Sequence, residues 1–587
     1  MRRKFFGWIA VSLCAAAAAV SGCSGSGGDA SEYVVPSIPG MDVGQRYLSY
    51  LVNDYKSTDD CRLVVTTAGT DEADTTARDV KVSTNADYAS GKVDAEEEDS
   101  AVKKDGREAV PCVCGFDDIV RRDMKCKMDA VSLKKLSAKA DKAPSFAGKE
   151  AGYVDYLWVV GQGDEEDQGY TLVPVAKVLD DEDTVHCNIL SHVETDENGI
   201  MTPAVSREEA LIIAKVFDSY NPADPSGKNT GIYDAVTSKS GHEWKKGGGR
   251  DGDPRINIVL LTSESMGSGL LGYVTPTDIL HYVDPNDEDA DPTYSNQGEY
   301  LYINYGDIIE AGGVLNGTSL AHTLAHEFTH EVYLNQKFFH DGNMSGYSVN
   351  DSYAEFSEKY LPNKETLLVS EGLAETNATR CGFGVRYAMD GSSAAKCAEY
   401  NSLYFISSYL SDSGEVTTFP VSFFQTTSAT AYPAGHLFGL HVLQYYGEDK
   451  LNKLYTSPYT GIKNLEEALG LSAADVIHNY NLAVSLAGYA DIPAKYEIPY
   501  VNIGGDNYYT STSAYTIDTM AVNRAAAVGK IYTKTGYNTK SFLPWYNGLL
   551  DLPCNYSSPL GVGVVVPDSA KVNLIRTDSY GKFVDMY

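Results

Sequence analysis

The segment Ser319-Leu-Ala-His-Thr-Leu-Ala-His-Glu-Phe-Thr-His-Glu-Val-Tyr-Leu334 decides how this chain folds around its most distinctive residues. It contains neither glycine nor proline, and its apolar residues recur every three or four positions, which predicts a largely buried helix. Asn316-Gly-Thr-Ser319 offers hydroxyl groups that can cap its start. His326 and His330 lie four positions apart, so both imidazoles project from one helix face and can reach the same metal ion.

Glu327 follows the first of these histidines directly. In this spacing the two histidines bind zinc and the glutamate acts as general base on a metal-bound water, so the motif predicts a zinc peptidase centre. The chain has only 11 histidines in 587 residues, which disfavours the alternative of a surface helix with two histidines by chance. His322 lies one turn earlier. We expect it to line the cleft or support the ligands, because three ligands in one straight stripe cannot converge on a tetrahedral metal.

A catalytic zinc site needs a third protein ligand and an open fourth position. The metzincin pattern does not supply it, because its glycine and histidine would fall at Tyr333 and Gln336.

Glu371, in Leu367-Leu-Val-Ser-Glu-Gly-Leu-Ala-Glu375, is the preferred third ligand. Ser370 predicts a helix start, and Gly372 would leave space near the metal. Glu371 and Glu375 would then share one helix face, so that Glu371 binds zinc while Glu375 orients a ligand histidine. Weaker candidates lie in the polar stretch between the two motifs: Glu355, Glu358 and Glu365.

Several ordered blocks of the chain resemble the hyicolysin-type family of the gluzincin metallopeptidases. They cover roughly residues 186 to 490 and comprise His186-Cys-Asn-Ile-Leu190, Asp253-Pro-Arg-Ile-Asn-Ile-Val-Leu-Leu261, Gly272-Tyr-Val274, Tyr300-Leu-Tyr-Ile-Asn304, Thr323-Leu-Ala-His-Glu-Phe-Thr-His330, Ser370-Glu-Gly-Leu-Ala-Glu375 and Ala431-Tyr-Pro-Ala-Gly-His-Leu-Phe-Gly-Leu-His441. The chain departs from the family at Thr329, where Gln is usual, and at Ser370, where Asn commonly precedes the ligand. The resemblance implies an α+β, thermolysin-like catalytic domain with a helical active-site lobe.

The resemblance also implies a ligand set that the residues support independently. His326, His330 and Glu371 would bind Zn²⁺. Glu327 would accept a proton from the zinc-bound water, whose pKa the metal lowers to about 7, and pass it to the leaving amine.

Tyr432 matches the tyrosine at the head of the family's later helix, and we expect it to stabilise the oxyanion together with zinc. The chain has 42 tyrosines, so position rather than residue type carries this prediction. His436, four residues on, is the alternative donor. Otherwise His436, His322 and Glu375 are expected to support the site from outside the ligand set.

The amino terminus indicates export. Arg2-Arg3-Lys4 precede an apolar run that ends in Val20-Ser-Gly-Cys23, which resembles a bacterial lipobox with cleavage before Cys23. A plain secretory signal is the alternative. We expect residues 1–22 to be the signal peptide and 23–42 to be the lipid anchor and a flexible tether, which would hold the protein at a bacterial outer membrane or cell surface.

Composition agrees with an exported globular protein. The net charge of −33 at pH 7 opposes nucleic-acid binding. The cysteines can pair in an oxidising compartment, and we expect a bridge between Cys381 and Cys397. The acidic loop Asp284-Pro-Asn-Asp-Glu-Asp-Ala-Asp291 could bind Ca²⁺. It lacks the glycine and terminal glutamate of an EF-hand, so a solvated loop is favoured.

Changes in sequence pattern predict three folded domains. Residues 43–185 should form an N-terminal β domain with a mobile charged insertion, 186–490 the catalytic domain, and 491–587 a C-terminal domain resembling a β-sandwich. The predicted function is an extracytoplasmic zinc endopeptidase acting on proteins or peptides. The alternative is a catalytically silent, peptidase-like lipoprotein acting as an adhesin or binding module, and hydrolysis of a non-peptide amide or ester is a third option.

Overall fold

A computed structural model describes residues 41–56, 59–72, 74–84, 113–114, 146–160, 170–220, 230–243, 253–266, 270–275, 278, 295–310, 318–338, 367–381, 383, 423–424, 431–486, 489–496, 502–503, 506–507, 529–530, 538–545, 548–552, 560–578, 580 and 582–587. Cys23, Cys397 and the acidic loop 284–291 lie outside these residues. Lipidation, the cysteine bridge and calcium binding therefore stay predictions.

The described residues form an α+β fold. In chain order the strands are β1 Gln45–Val52, β2 Asp60–Thr66, β3 Arg78–Thr84, β4 Val113–Cys114, β5 Val154–Val160, β6 Tyr170–Lys177, β7 Cys187–Thr195, β8 Met201–Pro203, β9 Ile256–Leu261, β10 Leu270–Tyr273, β11 Tyr300–Asn304, β12 Asn502–Ile503, β13 Asp506–Asn507, β14 Gly529–Lys530, β15 Asn538–Phe542, β16 Gly548–Leu552, β17 Leu560–Pro567, β18 Lys571–Thr577 and β19 Phe583–Met586. The helices are α1 Arg207–Asp218, α2 Ile232–Ser240, α3 Ser263–Met266, α4 Tyr305–Glu310, α5 Thr318–Phe338, α6 Leu367–Arg380, α7 Ala431–Tyr445, α8 Glu448–Thr456, α9 Gly461–Leu469 and α10 Ala473–Leu486. Within the described ranges, none of these helices combines the length and apolarity needed to cross a bilayer.

The largest sheet has the order β4-β10-β11-β9-β7-β6-β5, with β8 paired to β7. Its central strands β7, β9 and β11 are parallel. All six residues of β9 are buried, as the apolar run 256–261 predicts. Helices α1, α2 and α5 cover one face, where the sheet contributes Ile189, Ile258, Leu260, Leu301 and Ile303 to a common core.

The predicted start of the catalytic domain at residue 186 is too late. β5 pairs with β6 along its whole length, and β6 pairs with β7. Residues 154–177 therefore complete the central sheet and do not belong to a separate N-terminal domain.

The two predicted flanking β domains are one unit. β1 and β3 from the N-terminal region both pair with β17, and β2 lies between β16 and β18. The result is a sheet in the order β1-β17-β3-β15 and a second in the order β14-β16-β2-β18-β19. Their apolar faces share one core, as in a sandwich. That core includes Val52, Leu63, Val65, Val80, Val82, Leu550, Val562, Val564 and Leu574.

The sandwich also packs on the helical lobe. The opposite face of its second sheet contributes Val64, Leu549 and Ile575 to a core with α7 to α10. A polar contact joins the sandwich to the same helices: Thr66 Oγ1 lies 3.0 Å from His478 Nδ1 on α10. Strands from residues 60–66 and from residues 548–577 are thereby attached to helices α7 to α10.

Local sequence signals explain the helix ends around this core. α1 begins after Ser206, whose hydroxyl accepts a hydrogen bond from the Glu209 amide, while the Glu209 carboxylate accepts one from the Ser206 amide. α7 ends just before Gly447, which has φ +90°.

Candidate metal centre

Two stripes of side chains run along α5. Leu320, Leu324, Phe328 and Val332 recur every fourth residue and are buried against the central sheet. The histidines at 322, 326 and 330 have the same spacing but start two residues later, so they face about 200° away around the helix. The apolar stripe attaches the helix to the sheet, and this leaves the histidine stripe to meet α6.

Three of the predicted ligands converge where α5 meets α6. His326 Nε2 lies 3.0 Å from His330 Nε2 and 3.1 Å from Glu371 Oε2. The third side of the triangle, from His330 Nε2 to Glu371 Oε2, measures 3.2 Å. All three residues are buried.

This triangle fits a tetrahedral metal. Bonds of about 2.0 to 2.1 Å at the tetrahedral angle place ligand atoms roughly 3.3 to 3.4 Å apart, close to the three distances observed. The donor set of two imidazoles and one carboxylate suits zinc and leaves a fourth position for water or substrate. Glu371 Oε1 is buried and has no hydrogen-bond partner among the described residues, so a bound cation would also compensate this carboxylate.

Glu375 lies one turn beyond Glu371 and contacts the back of a ligand histidine. Its Oε1 is 3.2 Å from His326 Nδ1, and its Oε2 is 3.0 Å from His322 Nε2. The structure thus separates the two carboxylates as the sequence argument predicts, with Glu371 at the triangle and Glu375 behind it. His322 lies outside the triangle.

The pKa shifts at this centre reflect the crowding of these groups. Burial opposes a charge on His326, but hydrogen bonds to Glu371 and Glu375 outweigh it and raise its pKa well above the ordinary range. Burial lowers the pKa of His330, and Glu371 offsets this only in part. Burial raises the pKa of Glu371, but the two imidazoles lower it by more than burial raises it. The net result is a pKa below the ordinary value. The two rings thus compete for one positive charge.

Glu327 lies against the backbone of β10. A Cβ atom placed on Gly272 would come within 2.7 Å of Glu327 Oε1, so only glycine lets the strand and the carboxylate approach this closely. Within the sheet, β10 pairs with β4 along one edge, where Gly272 lies opposite Cys114, and with β11 along the other. The role of Gly272 was missed from sequence, although a glycine inside an apolar strand was the available signal.

The structure corrects two details of α6. The helix begins at Leu367, not at Ser370, so Ser370 lies inside it and is not its cap. Gly372 does not leave open space near the metal position. A Cβ there would lie 2.1 Å from backbone atoms of Gly435 on α7. The glycine instead allows two helix backbones to touch directly behind Glu371.

Tyr432 and His436 both belong to α7. The Tyr432 side chain is outside the described part of the structure, so its role as oxyanion donor stays a prediction. His436 is buried, and burial lowers its pKa to about 4. The charges that act on it come from Glu375, His322 and His326. That position, beside Glu375, fits a supporting role.

No protein-family model matches this chain, and no curated protein is significantly similar to it. The function is therefore argued from the geometry of the centre itself.

Proposed function

We propose that the protein is an extracytoplasmic zinc endopeptidase of the gluzincin type, with a thermolysin-like arrangement of sheet, motif helix and ligand helix. One observation carries the proposal: His326, His330 and Glu371 direct one ligand atom each at a common point, and Glu327 is adjacent to the first of them. The spacing of the three atoms suits zinc, and the glutamate has the position of a general base. The export signal described above supports the location.

Glu327 performs the proton transfer in this proposal. Zinc held by the three ligands would polarise the scissile carbonyl and make a water molecule more acidic. The Glu327 carboxylate accepts the proton that this water loses as it attacks the carbonyl carbon. The same carboxyl then gives the proton to the amide nitrogen as the C–N bond breaks, which releases a neutral amine.

The surroundings of Glu327 suit this task. Its carboxylate lies against Gly272, with no side chain from that position between it and the strand backbone. Glu327 is also buried, and a carboxylate that is shielded from bulk water is a stronger base toward a nearby proton.

Replacement of Glu327 by Gln tests the proposal. The purified protein should contain one zinc per chain and cleave casein, and a chelator should stop cleavage. Glu327→Gln should keep the zinc and lower kcat/KM by about 10²- to 10⁴-fold, because the ligands remain and the base is lost. Metal analysis and a fluorogenic casein assay measure the two effects.

Glu331→Gln is the matched control on the same helix. Glu331 is buried, and burial raises its pKa well above the ordinary range, so the neutral Gln side chain of similar shape is a mild substitution there. It should leave activity near wild type. Active wild type without zinc would overturn the proposal. Zinc-loaded wild type that cleaves no peptide would instead favour a silent, binding-only protein.

A further inference from the structure

His322 belongs to a continuous chain of contacts that ends at the metal position. Its Nε2 lies 3.0 Å from Glu375 Oε2, and its Nδ1 lies 3.2 Å from the carbonyl oxygen of Phe383. The other oxygen of Glu375 reaches His326 Nδ1 at 3.2 Å. The chain therefore runs from a backbone carbonyl through an imidazole and a carboxylate to a ligand imidazole.

The same atoms could be taken for a second metal site, since His322, His326 and Glu375 also offer three ligand atoms close together. The chemistry of His326 argues against this. When its Nε2 binds a metal at the first position, its Nδ1 carries the hydrogen that Glu375 accepts. A second metal on Nδ1 would require a doubly deprotonated ring, which the adjacent carboxylates disfavour.

Each ring nitrogen of His322 has an oxygen acceptor within hydrogen-bonding distance. Both contacts are made when both nitrogens carry hydrogen, and the ring then also balances the charge of Glu375. Glu375 Oε2 lies within hydrogen-bonding distance of His322 Nε2, and its Oε1 lies 3.2 Å from His326 Nδ1, so each oxygen of the carboxylate faces one histidine. His322 is only 2% exposed, so water does not replace either partner easily.

We propose that His322 is a positioning residue for zinc binding: anchored on the Phe383 carbonyl, it holds Glu375 in the orientation that directs Nε2 of His326 to the metal. This inference rests on the proposed function, because it assumes that the triangle binds zinc. The inference goes beyond the proposed function because it assigns part of the zinc affinity to His322, a side chain that touches neither metal nor substrate.

A double-mutant cycle on zinc affinity tests the proposal. The dissociation constant is measured by competition with a chromogenic chelator. Glu375→Ala should weaken zinc binding about 10- to 100-fold. His322→Leu, which removes both donors, should weaken it about 10-fold. His322→Gln keeps one donor toward Glu375 and should recover part of the loss.

The decisive measurement is the double variant. If His322 acts through Glu375, His322→Leu should change zinc affinity less than about twofold once Glu375 is already Ala. His441→Leu is the matched control, since His441 is equally buried on α7 but belongs to neither metal-ligand group. It should leave zinc affinity unchanged, whatever it does to stability.

The outcomes separate the two proposals. Unchanged zinc affinity in His322→Leu, or full additivity in the double variant, overturns the role of His322 while the peptidase proposal stands. Two zinc ions in wild type and one in His322→Leu would also overturn it, in favour of a second metal site. Absence of zinc binding in wild type would overturn both. Because zinc affinity is measured without a peptide substrate, lack of peptidase activity alone does not affect the test.

Discussion

Two clusters of charged groups differ in how their atoms are arranged; in the first, Arg576 and Asp59 are buried and Asp54 is exposed. In the sandwich, Arg576 donates from Nε to Asp59 at 2.8 Å and from Nη1 to the Asp54 carboxylate at 2.7 Å. Its Nη2 donates to the Asp54 carbonyl at 2.9 Å. At the α5–α6 contact, by comparison, two imidazole nitrogens and a carboxylate oxygen lie within 3.2 Å of one another.

The difference shows which buried charges are structural. Donors of Arg576 meet acceptors of the chain itself, so the cluster is complete and needs no further partner. The triangle brings together a carboxylate oxygen and two imidazole nitrogens that are acceptors when each neutral ring carries its hydrogen on Nδ1, and such acceptors repel one another unless a cation or proton lies between them. Convergence of acceptors, more than burial or charge alone, is the feature on which the proposed zinc site at the α5–α6 contact rests.

Removal of Glu371 should have the largest effect, because it opens the triangle. Glu371→Ala is expected to abolish stoichiometric zinc binding and peptidase activity, whereas Glu375→Ala keeps the ligands and loses only about 10- to 100-fold in affinity. Zinc titration of the two purified variants measures the ranking. If Glu375→Ala proved the more severe, the assignment of ligand and supporting carboxylate would be reversed.

Removal of Arg576 should have the converse effect. It should lower the stability of the fold and leave zinc binding unchanged. Arg576→Met leaves Asp59 buried without its cation and should lower the free energy of unfolding by about 3 to 5 kcal/mol. The zinc content of the folded protein should not change. Lys582→Met is the control, since its ion pair with Asp491 is exposed, and it should unfold like wild type in urea. A loss of zinc in Arg576→Met at unchanged stability would refute the distinction drawn between the clusters.

The site was more predictable from sequence than the fold around it. His326 and His330 are four residues apart, and so are Glu371 and Glu375. Helix periodicity places each pair on one face, and this periodicity can be recognised in a short stretch of sequence. Phe383 could not be predicted to take part, because its backbone carbonyl makes the contact and any residue type supplies one. The role of Gly435 could not be predicted for a similar reason. A glycine within a helix allows close packing of a second helix, and the sequence does not reveal which helix crosses it.

The sandwich was divided wrongly because strand pairing is non-local. Residues 43–185 and 491–587 are each predicted to form β structure, and β2 and β17 are strands within these two ranges. Sequence alternation does not reveal which strand is the partner, and here the partners of β1 and β2 lie near the other end of the chain. Each terminal region alone offers an incomplete pair of sheets. Only the strand pairing in the structure shows that the two terminal regions form one sandwich.

The smallest of these effects is expected at Gly372, where packing and metal geometry are coupled. In Gly372→Ala the added methyl overlaps backbone atoms of Gly435, which cannot rotate away, so α6 must shift relative to α7. Such overpacking should cost about 1 to 3 kcal/mol in unfolding free energy. Because Glu371 is the adjacent residue, the shift should also weaken zinc binding.

Gly439→Ala supplies the comparison for that coupling. There the added methyl meets the side chain of Thr376, 2.1 Å from its Oγ1, on the same helix pair but five residues along α6 from Glu371. We expect a similar loss of stability with zinc affinity near wild type. Equal zinc affinities in the two variants would show that the triangle tolerates movement of α6. A selective loss in Gly372→Ala would show instead that the direct backbone contact holds Glu371 within reach of the two histidines.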